Sequence, residues 1–144
     1  MMIPQRFATR FAATFAALAM LASGAGAAAQ EKAKRPKLSV RPSASMGFVP
    51  ATITFTAELK EGDNDFADYY CASIEWDWDD GTTAESEDDC EPYEAGKSEI
   101  RRRYTRQHKF TAEDVYDVKF RLKQRGKVVG STALRITVKG GMLP

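Results

Sequence analysis

Carboxylates are the residues of this sequence best placed to do chemistry. Residues 61–96 hold 14 Asp and Glu and no Lys or Arg. Asp79 and Asp80 sit side by side on an Asp-Gly turn. Glu85, Glu87, Asp88, Asp89, Glu91 and Glu94 follow in a polar stretch that also contains Tyr93. A hydrolase uses a carboxylate pair as acid and base, but adjacent residues on one tight turn do not converge on a single substrate bond. Acidic loops of exported domains also bind Ca²⁺. The spacing is not that of an EF-hand. Counted from Asp77, Gly81 stands at the fifth position instead of the sixth, and Asp88 fills the twelfth in place of Glu. These residues are therefore expected to form a solvated acidic recognition surface, with Ca²⁺ as the alternative ligand.

The opposite charge follows. From Lys97 onward there are 13 basic residues against Glu99, Glu113, Asp114 and Asp117. Arg101, Arg102, Arg103, Arg106, His108 and Lys109 are the densest part. Alternation on a strand places Arg101 and Arg103 on one side and Arg102 on the other. Arg101, Arg103, Arg106 and Lys109 form the alternative binding patch, suited to an acidic protein or an anionic glycan. The competing reading is internal neutralisation by the acidic stretch. The whole chain is near neutral, at +1, so it has no global pull toward nucleic acid. His108 is the only imidazole. A catalytic His needs a nucleophile and an orienting carboxylate, and no motif supplies them. Neither catalysis nor a cofactor is expected.

The compartment follows from the N-terminus. Arg6 and Arg10 precede an apolar run from Phe11 to Ala22, and Ala27-Ala28-Ala29 offers a small-residue cleavage site, so residues 1–29 read as a signal peptide. The apolar run falls short of the roughly 20 residues of a spanning helix, and no stable membrane span is expected after cleavage. An uncleaved anchor is the other reading. The remaining chain is the size of one domain. Gln30 to Lys37 reads as a charged tether ahead of a domain at 38–140. Cys71 and Cys90 are the only cysteines. In an oxidising space they are expected to form one disulfide, closing a loop worth roughly 3 kcal/mol. The competing readings are two free thiols, or a zinc site for which His108 alone leaves the shell short of ligands.

The elements that must position these groups are strands. Ile53, Phe55, Ala57 and Leu59 alternate with Thr52, Thr54, Thr56 and Glu58. Ile74, Trp76 and Trp78 alternate with Glu75 and Asp77, and Tyr116, Val118, Phe120 and Leu122 form a third inward row. Leu38-Ser39-Val40, stopped by Pro42, reads as an edge strand. Arg125-Gly126 is a hairpin turn leading into Val128–Val138. Ile100 to Tyr104 reads as an extended segment, and Thr83 to Gly96 as an irregular excursion. Short strands between turns argue an all-β sandwich of about seven antiparallel strands.

Trp76-Asp77-Trp78-Asp79-Asp80-Gly81-Thr82 resembles the W-D-F-G-D-G-T signature of the polycystic kidney disease (PKD) domain. His108-Lys109-Phe110, Tyr116, Val118 and Phe120 resemble that family's second motif. Asp79 and Asp114 replace glycines of the family pattern. The resemblance implies an immunoglobulin-like sandwich and places His108 in a turn leading to the next strand. The chain is expected to be a secreted or periplasmic binding module for a protein or an extracellular polymer. The alternative is a structural subunit of an envelope or secreted assembly.

Overall fold

The computed structural model describes residues 32–141. The signal peptide read at 1–29 lies outside them. Eight strands form: β1 (Lys37–Pro42), β2 (Met46–Phe48), β3 (Ala51–Lys60), β4 (Ser73–Asp77), β5 (Thr83–Ser86), β6 (Arg103–Phe110), β7 (Asp114–Gln124) and β8 (Lys127–Lys139). One 3-10 turn covers Ala67–Tyr69. The strands make two sheets, ordered β1-β3-β6 and β2-β8-β7-β4-β5. All pairings are antiparallel except β2 with β8.

The three inward rows meet between the sheets. Phe55, Val118, Phe120 and Leu122 are fully buried, and Trp76 and Trp78 nearly so. The two indoles stack with centroids 5.3 Å apart, and Phe55 packs against both from the other sheet. Fully burying one such side chain is worth about 2–3 kcal/mol, so this aromatic centre carries much of the fold. Outside, β4 lies beside β7 with Glu75 opposite Arg121 and Asp77 opposite Lys119. Glu75 accepts from both Arg121 and Lys123 across that ladder.

Two expectations change. Thr83–Ser86, read as part of an irregular excursion, is edge strand β5 paired with β4, which puts Glu85 on a strand opposite Glu75. His108, read as a turn residue, lies within β6 opposite Ile53. The sandwich of about seven strands is borne out, with eight present once β5 and short β2, which joins β8 in parallel, are counted. Ahead of β1, residues 35 and 36 of the segment read as a tether touch the domain. Pro36 is buried, and Arg35 donates to the Tyr69 hydroxyl and the Val129 carbonyl.

Candidate functional site

Between β5 and β6 the chain leaves the sheets and returns only at Arg103, and this excursion carries Glu87, Asp88, Asp89, Glu91, Glu94 and Glu99. It is fastened at several points. Cys71 and Cys90 form a disulfide. The Tyr70 hydroxyl donates to the Glu91 carbonyl at 2.6 Å, and the Tyr93 hydroxyl donates to the Asp65 carbonyl at 2.6 Å. The Gly96 amide donates to the Asp65 carboxylate, and the Ile100 amide to the Asn64 carbonyl, so the excursion lies along the loop after β3. Ile100 is buried and plugs its base. Tyr70 and Tyr93 pack with tilted rings, their centroids 5.5 Å apart. A surface hollow of about 550 Å³ opens among Tyr70, Glu91, Glu94, Lys97 and Glu99.

The acidic residues divide by what they touch. Asp79 and Asp80 work inside the Trp-strand turn. Asp79 adopts φ 60°, the left-handed region that Asp tolerates better than most residues. This explains how it stands where the PKD pattern has Gly. Its carboxylate accepts the Asp117 amide at 2.9 Å, tying the turn to β7. Asp80 accepts from the Thr82 amide and hydroxyl and lies 2.7 Å from His108 Nε2. Burial pushes the Asp80 carboxyl up, but these bonds from Thr82 and His108 outweigh it and hold the group below its ordinary range. The His108 ring in turn stacks on Trp78 at 4.4 Å and 4°. His108 thus bridges the sheets as a packing and hydrogen-bonding residue.

On β5, Glu85 pairs with Lys123 at 3.6 Å, and in the excursion Asp88 pairs with Arg101 at 3.3 Å and Glu94 with Lys97 at 3.3 Å. Among the described residues, Glu87, Asp89, Glu91 and Glu99 make no ion pair and are exposed. Tyr93 is 40% exposed beside them. The basic patch divides too. Arg103 joins Arg41 and Lys60 around the buried Glu58 carboxylate. Arg106 and Lys109 are exposed, with no carboxylate partner among the described residues. Of the read patch, Arg101 and Arg103 are thus paired with carboxylates, while Arg106 and Lys109 are not.

Among the described residues Arg102, one of the basic run, is the most connected cation. Its guanidinium donates to the carbonyls of Leu59, Glu61 and Gly62 and to the Asn64 side chain. It fixes the loop that supports the excursion. A run of three arginines gives no signal of which one is structural. Among the described residues, no group of three or more potential ligands is placed to hold a metal ion.

No family model matches the chain, and no curated protein matches it. Among solved structures, the PKD domain of an M14-like peptidase from Thermoplasmatales archaeon SCGC AB-540-F20 is similar in fold. The TM-score is 0.50 at 14% identity, over 75% of this chain and 99% of that one. With the two-sheet order and the buried Trp row, this similarity gives the chain a PKD-like, immunoglobulin-type β-sandwich fold.

Proposed function

We propose that this chain is an exported, non-catalytic binding module whose acidic excursion engages a cationic surface of another protein. One observation carries the reading. Glu87, Asp89, Glu91 and Glu99 are exposed and unpaired on a segment already held by a disulfide and two tyrosine hydroxyls. A preformed charged loop loses little conformational entropy on binding, and unpaired carboxylates steer a cationic partner. The groups that resemble catalytic ones are otherwise engaged, since Asp79, Asp80 and His108 bond within the fold. Export is supported by the N-terminal pattern and by the disulfide, which persists in oxidising compartments.

With the chain as bait against an envelope fraction, Glu87→Gln/Asp89→Asn/Glu91→Gln is expected to lower partner capture about tenfold or more and to flatten its salt dependence. Its Tm should stay unchanged. Capture equal to wild type places the site elsewhere. A second reading, a structural subunit of an envelope assembly, draws on Met46, Phe48 and Val115. These stand about half exposed on the outer side of the second sheet, where a neighbouring chain would cover them.

A further inference from the structure

The first sheet ends at β6 with an edge that nothing in the described chain covers. The Leu59 amide donates to the Arg102 carbonyl at 2.8 Å, one step beyond the Glu58–Arg103 pairing, and this sets the phase of the ladder. Hydrogen-bonded pairs alternate in an antiparallel ladder. Tyr104, Arg106, His108 and Phe110 therefore turn their backbone toward β3, and Thr105, Gln107 and Lys109 turn theirs to the open side. Among the described residues no hydrogen bond reaches the amides or carbonyls of those three. The Arg103 carbonyl, at the end of the row, is taken by Arg101 Nε at 3.0 Å. Constant-type immunoglobulin sandwiches carry a fourth strand in this sheet. Here the excursion runs to the loop after β3 instead, and the row stays open.

We propose that β6 is a strand-addition site for an extended acidic segment of a partner protein. Main-chain bonding to Thr105, Gln107 and Lys109 supplies the affinity common to strand addition, and side chains supply the selection. Arg106 and Lys109 are the exposed cations of this edge that have no carboxylate partner among the described residues, Arg103 being paired with Glu58. Being three residues apart, they project on opposite faces. The fitting segment carries carboxylates at positions i and i+3, one for each face. The same charges act against a second β6, because pairing two copies brings both sets of cations together. This surface is distinct from the acidic excursion and takes the opposite charge.

The test uses the full chain and a blocked peptide, Thr-Val-Glu-Val-Thr-Glu-Val-Thr, with its Glu-to-Gln counterpart as control. Saturable binding of the acidic peptide is expected, weakened about tenfold or more in the Gln peptide. On binding, amide exchange should slow at Thr105, Gln107 and Lys109. Gln107→Pro deletes one open-edge donor without touching the β3 ladder, and edges tolerate Pro. It should abolish binding while Tm stays near wild type. Arg106→Glu/Lys109→Glu should do the same through charge, and serves if the proline variant fails to fold. Absence of peptide binding overturns the proposal, as does equal binding by Gln107→Pro in a folded state. Self-association through β6 without peptide binding overturns it in favour of a second copy.

Discussion

The indole N–H of Trp76 is buried without a hydrogen-bond partner among the described residues. An unmet buried donor costs about 1–3 kcal/mol, so Trp76 is retained for its shape. Its ring touches Phe55, Trp78 and Phe120, with centroids between 4.5 and 6.1 Å. Two substitutions separate shape from polarity. Trp76→Ala removes the ring and leaves a void, and should cost about 3–5 kcal/mol in urea denaturation. Trp76→Phe keeps most of the contacts and removes the orphan donor, so its loss should be well under half of that. If the two variants unfold at the same midpoint, the stacking contacts are not what holds the centre. His108 is the contrasting case. It stacks on the neighbouring Trp78 but meets Asp80, so its polar atom is satisfied at the rim of the core.

At the level of elements, a strand was legible where one face alternates cleanly into the core. The rows through Phe55, Trp76 and Phe120 stood where the period-two pattern put them. β5 was hidden because Thr83-Ala84-Glu85-Ser86 offers only Ala84 to pattern, and the strand is held by its pairing with β4. β6, read as an extended segment over Ile100 to Tyr104, runs instead over Arg103–Phe110, and the pattern did not show this extent. Its inward row includes Arg106 and His108, which lie at the open edge of the sheet where polar side chains reach solvent, so the alternation does not show. β2 has three residues and a partner far along the chain, which no local pattern reports. Within the site, charge and the cysteine pair were readable. The division into engaged and free carboxylates was not, because it depends on Lys123, Arg101, Thr82 and the Asp117 amide, all brought in by the fold. The excursion itself makes a prediction. The disulfide spans 19 residues, and chain-entropy reasoning gives about 3 kcal/mol for such a closure. Cys71→Ser/Cys90→Ser should lose about that much and expose residues 87–99 to protease, while the Trp fluorescence of the native core persists. Thiol counting on unreduced, denatured wild type should find none. Two titratable thiols would overturn the pairing.

Across the whole molecule, folding lowers the proton affinity of several carboxylates together. Glu75 is held down to about 2 by hydrogen bonds from Lys123 and Arg121. Asp117 is lowered by its bonds to Arg135. At Glu58 and Asp80 burial pushes upward, but Arg41 with Arg103 in the one case, and Thr82 with His108 in the other, bring the carboxyl below its usual range. A carboxylate whose pKa falls on folding adds stability above its unfolded value, and that contribution disappears as pH drops through the folded value. For Glu75 the window runs from its ordinary 4.5 down to about 2. The urea midpoint should therefore be flat near neutrality and fall steadily below about pH 4.5. Glu75→Gln should start lower at pH 7 and show a shallower fall, because the group that titrates between the two sheet cations is gone. Glu87→Gln, on an unpaired and exposed residue, should leave the slope as in wild type. A slope that Glu75→Gln does not change would show that the ladder from β4 to β7 contributes nothing to acid sensitivity, and would move its origin to the turn held by Asp80.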